Sequence, residues 1–174
     1  TTIGILAALH ERERSGKGQL VDISMLDCQV AILENAFARY SATGDPPKAL
    51  GTRHPAATPF QAFPTSDGYV VLALAFGTEN AWAVFCGLLG LPHLIDDPRF
   101  ATPGLRTRNH AELEPALNEA MKTRTTAEWL AEFDAAGFPC GPLHTIPEVA
   151  AHRQVIAREM LVEVDHEVPE EGEE

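Results

Sequence analysis

Between Thr43 and Ala57 the chain carries Gly44, Pro46, Pro47, Gly51 and Pro55. No helix and no central strand runs through such a stretch. Proline lacks the N–H and fixes φ, and glycine has the most backbone freedom to lose. The chain is therefore expected to fold as two pieces joined there.

In the first piece, Ile5, Ala8, Leu9 and Arg12 recur at helical spacing, which predicts a helix over residues 1–14 that stops at Gly16. Leu20–Ser24 alternates like a short strand. Leu26, Val30, Leu33, Phe37 and Tyr40 predict one long amphipathic helix. The second piece opens with two expected strands, Thr58–Phe63 and Tyr69–Ala75, around a Ser66-Asp67-Gly68 turn. The second of these is apolar on both faces, so burial on both is expected. Thr78 is the expected N-cap of a helix carrying Trp82, Phe85, Cys86 and Leu89, closed by Gly90. Leu91–Pro103 reads as irregular. Asn109 and Glu112 have capping-box spacing ahead of Leu113 and Leu117, with Pro115 either kinking that helix or starting it. Thr125 and Glu128 form a cleaner capping box, and Gly137 a stop. Leu143–Thr145 and Leu161–Val164 read as short strands, and residues 147–157 as a helix. Helices and strands in this irregular order place the chain in the α/β class, with an α+β second unit.

Composition narrows the function classes. Of 174 residues, 45% are hydrophobic and 22% charged, which is globular and not disordered. The net charge of −12 gathers towards the C-terminus, at Glu159, Glu163, Asp165, Glu167, Glu170, Glu171, Glu173 and Glu174. No stripe of Lys and Arg offsets it, so nucleic acid is not an expected partner. No apolar run reaches the roughly 20 residues that cross a bilayer, so no membrane partner is expected. Cys28, Cys86 and Cys140 are too few and too widely spaced for a disulfide framework, which points to the cytoplasm. The histidines form no ligand motif, and no metal site or permanently bound cofactor is expected.

Several residues carry possible chemistry. Ser15-Gly16-Lys17-Gly18 fails the phosphate-loop spacing and reads as a turn. Cys140 and His144, four apart, are a conceivable nucleophile and base, although a free cysteine is more often a small buried hydrophobe. Asp22 within Val21-Asp22-Ile23 is a shifted carboxylate or, more plainly, a residue on an alternating strand. Arg53, His54, Pro55, Ala56 and Ala57 form a polar loop between the two pieces, a place where ligand contacts concentrate. Arg53 and His54 could hold an anion there; ordinary linker chemistry explains the segment about as well. Arg99, Arg106 and Arg108 cluster near Asp96 and Asp97. They either grip an anion or bind the irregular segment's carbonyls, and the second reading is preferred.

An ordered set of segments resembles the class III CoA-transferase family, which includes formyl-CoA transferase, carnitine CoA-transferase and the α-methylacyl-CoA racemases. The segments are Gly4-Ile5-Leu6-Ala7-Ala8-Leu9, then Ser15 to Asp27, then His54-Pro55 with Thr58-Pro59-Phe60-Gln61-Ala62-Phe63. Asp67-Gly68, Trp82-x-x-Phe85-Cys86, Asp97-Pro98-Arg99-Phe100-Ala101-Thr102, Arg106-x-x-Asn109, Glu128-Trp129 and Ala136 to Pro142 follow. The resemblance implies an internal fragment of a longer α/β protein, which fits an opening without methionine and an ending in an acidic loop. Residues 1–45 would end the first pass through a Rossmann-like large domain. Residues 46–57 would be a linker and 58–166 a small α+β domain, with 167–174 beginning the return.

The implied activity is transfer of CoA from an acyl-CoA donor to a carboxylic acid through an aspartyl intermediate. The family's aspartate would lie upstream of Thr1, so no catalytic residue is expected in this chain and the fragment alone is expected to be inactive. CoA thioester is implied as substrate, and an interlocked homodimer as the assembly. The loop after His54 is placed near the active site, with Ala56 and Ala57 where some members carry glycines. A racemase of the same fold is the alternative, with Glu79 as the base, and a non-catalytic binding remnant is the other; the transferase reading is preferred.

Overall fold

The computed structural model describes residues 1–74 and 80–164. It divides into two compact units, Thr1–Ala49 and Leu50–Glu174. The first holds helices α1 (Thr2–Ser15), α2 (Met25–Ala31) and α3 (Glu34–Thr43). α1 ends as expected, with Gly16 at φ 72 and its N–H on Arg12 O.

Two expectations for this unit are corrected. Leu20–Ser24 pairs with no strand among the described residues. A strand exists only through a neighbour's hydrogen bonds, and instead Val21 packs on α1. A Cβ added at Gly4 would stand 3.0 Å from Val21 Cγ1, so glycine permits that approach. The long helix is also broken, because Leu33 N–H turns back to Val30 O and α3 starts afresh at Glu34. No glycine or proline marks that break. None of the three helices buries a residue.

The second unit is built on a three-stranded antiparallel sheet in the order β1-β2-β3, from β1 (Phe60–Pro64), β2 (Tyr69–Ala73) and β3 (Cys140–Pro142). Phe63 stands opposite Val70, Gln61 opposite Leu72, and Leu72 opposite Cys140. Around the sheet come α4 (Ala81–Leu88), a 3-10 turn (Pro92–Leu94), α5 (Pro103–Arg108), α6 (His110–Met121), α7 (Thr126–Ala135), α8 (Ile146–Ala151) and α9 (Arg153–Ala157). One core joins Phe63, Val70 and Leu72 to Phe85, Leu113, Met121, Trp129 and Phe133, all at most 1% exposed. Each such side chain contributes roughly 1.5–3 kcal/mol by leaving water.

β2 is buried at Val70 and Leu72 on one face; on the other Tyr69 is exposed, Val71 half-buried and Ala73 buried, so burial on both faces is reached only at the end of the strand. β3 falls at Cys140–Pro142, earlier than expected, and only Leu143 N–H continues it, onto Tyr69 O. The helix over 147–157 breaks at His152, whose Nδ1 accepts from Gln154 N–H and caps α9. Leu161–Val164 forms no strand. The capping box at Thr125 and Glu128 is present, with Gly137 at φ 74 beyond the end of α7. Pro115 lies inside α6, which starts at His110 and runs through it. Asn109 precedes α6 without capping it by side chain; its Nδ2 donates to Arg99 O. Thr78 lies outside the described residues; Asn80, at φ 62, occupies the N-cap position of α4.

Candidate functional site

The loop ahead of β1 is tied down by its own polar groups. The His54 ring stacks on Phe60 with centroids 4.8 Å apart and planes 5° apart. Its backbone N–H donates to Phe60 O, and its Nδ1 accepts from Ala56 N–H. Thr52 Oγ1 accepts from Ala62 N–H on β1. These bonds anchor the loop to the sheet edge.

Ala56, Ala57 and Thr58 then form one wall of an open cleft of about 490 Å³. Leu74, Ala81, Trp82 and Arg106 supply other parts of it. Clefts of this size hold small ligands. Arg53, His54 and Pro55 are not among its lining residues, so the candidate loop is divided: its last two residues face the cleft, and its first three do not.

Arg106, on α5, is 7% exposed. Nε donates to Thr58 O at 3.2 Å and Nη1 to Phe100 O at 2.9 Å. The guanidinium carbon sits 4.7 Å from the Trp82 ring centroid. The carbonyl-binding role preferred for this arginine is thus what the structure has, and such bonds settle the backbone of an irregular segment. Trp82 does the same from the other side, donating Nε1–H to Leu94 O. No carboxylate pairs with Arg106 among the described residues. Burial lowers its pKa, an effect that Cys86 opposes. Cys86 itself is pushed up to about 12 by burial, so it is an inert thiol.

The remaining candidates separate. Arg99 is on the surface, paired with Asp97 at 2.7 Å and with Glu112 at 2.7 Å. Arg108 and Asp96 are exposed. Burial first, then Asp134, raises the Cys140 thiol pKa, the opposite of what a nucleophile needs. No bond joins Cys140 to His144, whose ring lies 5.6 Å from that of His152. Asp22 is exposed. Glu79 lies outside the described residues.

One cluster had not been expected. Gln61 and His110 are buried, and His110 Nε2 lies 2.7 Å from Gln61 Oε1. Gln61 Nε2 donates to Glu114 Oε1 at 3.2 Å, and His110 Nδ1 stands 3.5 Å from Glu114 Oε2. Burial lowers the His110 pKa, and the nearby Arg53 charge lowers it further, while Glu114 opposes both. The sequence held a signal for half of this: His110 and Glu114 are four apart on a helix, and Gln61 takes a core-facing position two before Phe63.

Among the described residues no group of three or more His, Cys, Asp or Glu is arranged to hold a metal. No described helix is long and apolar enough to cross a membrane.

The family model for CoA-transferase family III matches residues 1–172. The chain belongs to CoA-transferase family III. Within that family it is 38% identical to the succinyl-CoA:glutarate CoA-transferase of Mus musculus, over 93% of this chain and 37% of that protein. It is 39% identical to the acetyl-CoA:oxalate CoA-transferase of Acetobacter aceti, over 91% of this chain and 40% of that one. Its structure resembles that of a CAIB/BAIF family protein from Brucella suis, with a TM-score of 0.77 and 39% identity, covering 91% of this chain and 41% of that chain. The family III chain therefore spans about two fifths of the length of these relatives. Its fold is that of an α/β piece of such an enzyme.

Proposed function

We propose that the chain is part of a transferase that moves CoA from an acyl-CoA donor to a carboxylic acid acceptor. The observation that carries this reading is the similarity to relatives named as CoA-transferases along more than nine tenths of this chain. The nucleophile in this reading is an aspartate upstream of Thr1. Its carboxylate attacks the thioester carbonyl, giving a mixed anhydride and free CoA thiolate. The thiolate attacks the aspartyl carbonyl, releasing the donor acid and leaving an aspartyl-CoA thioester. The acceptor carboxylate attacks that thioester and frees the thiolate again. The thiolate then takes the acceptor acyl group and restores the aspartate. Each step exchanges one acyl bond for another, so the thioester's free energy is not lost to water. Reactive anhydrides require a site that excludes water.

On this reading residues 58–166 act as the small domain, 1–45 as the end of a large-domain pass, and 167–174 as the start of the return. The loop from Arg53 to Ala57 stands near the reacting groups. The protein works as an interlocked homodimer in the cytoplasm, with CoA thioester as substrate and no permanently bound cofactor.

The test is hydroxylamine trapping on the full-length protein during turnover with succinyl-CoA and glutarate. The expected result is an adduct on an aspartate, seen by mass spectrometry, together with glutaryl-CoA in solution. Turnover with no enzyme adduct would remove the covalent route. Glu79→Gln is expected to keep transfer activity, whereas loss of activity would favour the racemase type of acid–base chemistry.

A further inference from the structure

Two hydrogen bonds bracket Arg53. Thr52 Oγ1 accepts from Ala62 N–H at 3.1 Å, and His54 N–H donates to Phe60 O at 2.8 Å. Residues 52–54 thus run beside β1, with Arg53 across from Gln61. The His54 ring lies on the Phe60 ring, so residues across from one another share a face of the sheet here. Arg53 accordingly falls on the face of Gln61, where α6 packs. Its charge acts on His110. Arg53 is half-buried and makes no ion pair among the described residues.

Gln61, His110 and Glu114 form a ring of three contacts that lacks one proton. Neutral His110 donates Nε2–H to Gln61 Oε1 at 2.7 Å, and Gln61 Nε2 donates to Glu114 Oε1 at 3.2 Å. The third contact then sets a bare Nδ1 against Glu114 Oε2 at 3.5 Å, two acceptors with no hydrogen between them. Turning the Gln61 amide over moves this gap without closing it, because Gln61 Oε1 then faces Glu114 Oε1. A further proton therefore has a ready destination in the ring. Once taken up, it leaves an imidazolium hydrogen-bonded to the Glu114 carboxylate. The cluster changes from Arg53 balanced by Glu114 to two cations against one carboxylate.

We infer that proton uptake by the His110–Glu114 pair releases Arg53, and with it the loop of residues 52–57, from the edge of β1. With Arg53 in place its charge opposes an imidazolium; with Arg53 withdrawn the proton is held more tightly. Opening of the loop therefore takes up a proton and becomes more favourable as pH falls. Arg53 from the loop and Glu114 from α6 are the charged groups that act on His110. From α5, Arg106 is turned onto the Thr58 and Phe100 carbonyls and Arg108 is exposed. His110 touches no ligand in this arrangement. It is a positioning residue for the loop whose Ala56 and Ala57 line the cleft.

The test is hydrogen exchange by mass spectrometry on the full-length protein from about pH 7.5 to 5.5, the range in which a histidine takes up its proton. Rates are divided by those of an unstructured peptide at each pH. The His54 and Ala62 amides are expected to lose protection as pH falls, by up to about tenfold per pH unit, the limit for one coupled proton. The amides of β2, which is paired on both sides, are expected to stay protected. His110→Gln keeps a donor for Gln61 and does not titrate; Arg53→Gln keeps the loop and removes its charge. Each is expected to level the slope. No slope in the unaltered protein would overturn the proposal. So would a slope that survives either variant; one surviving both belongs to His54, whose Nδ1 accepts from Ala56 N–H. Equal loss of protection in β2 would show general loosening and would also overturn it. If His110→Gln leaves β2 unprotected at the neutral end, Arg53→Gln decides alone. On the transferase reading above, the same pH dependence is expected in KM, and the exchange measurement stands whether or not that reading does.

Discussion

His110 Nε2 lies 2.7 Å from Gln61 Oε1, joining the first turn of α6 to a core-facing position on β1. The same ring faces Glu114 through Nδ1 and feels the charge of Arg53. Burial and Arg53 together hold it below its ordinary value of 6.5 despite Glu114. The folded protein therefore favours neutral imidazole, whereas the unfolded chain takes up a proton below about pH 6.5. The resulting stability is fully present above that pH and is lost as pH falls through the lowered folded value. In urea titrations the midpoint is expected to be level from about pH 8 to 7 and to drop below 6.5. His110→Gln should flatten that limb. The carboxylates of Asp67, Asp97, Glu128 and Glu148 are held low by hydrogen bonds, so their contributions are lost in a separate, more acid window. An unchanged slope in the His110 variant would assign the limb to another group.

Phe133 is completely buried and stacks against Trp129 at 5.3 Å. Trp129 in turn donates Nε1–H to Met121 O at 2.7 Å, tying α7 to the end of α6. Phe133→Ala is expected to cost about 3–5 kcal/mol through lost burial and the cavity left behind. Thr125→Ala removes only the cap of α7 and is expected to cost about 1 kcal/mol. Denaturant midpoints of the two variants check the ratio, and equal losses would mean that α7 is held by its end and not by its face.

Residues 1–49 bury no side chain, and Ile3, Leu20, Met25, Leu26 and Ile32 are each more than 70% exposed. Apolar surface on this scale binds other apolar surface. The 174-residue chain on its own is expected to self-associate and to bind the dye ANS, and removal of residues 1–49 should abolish most of the dye signal. A monodisperse, cooperatively melting monomer of the 174-residue chain that ignores ANS would contradict this.

What could be read in the sequence was the chemistry of short range. The capping box of Thr125 and Glu128, the left-handed Gly16 and Gly137, and the turn at Ser66-Asp67-Gly68 each depend on residues within a few positions of one another. The resemblance to a transferase family was legible in the same way, as short segments in order. The candidate loop was only partly legible. Ala56 and Ala57 reach the cleft, but the sequence could not show that His54 would turn onto Phe60 instead.

The tertiary structure decided everything that depends on a partner far along the chain. Leu20–Ser24 alternates correctly yet bonds no neighbouring strand among the described residues, and a strand is defined by that neighbour. Arg106 meets Thr58 across 48 positions, and His110 meets Gln61 across 49. Alternation, capping and turn chemistry act through the local backbone, so one sequence window contains their cause. A buried guanidinium bonded to distant carbonyls, or an imidazole whose pKa burial lowers, arises only when packing removes water from groups that no window contains together.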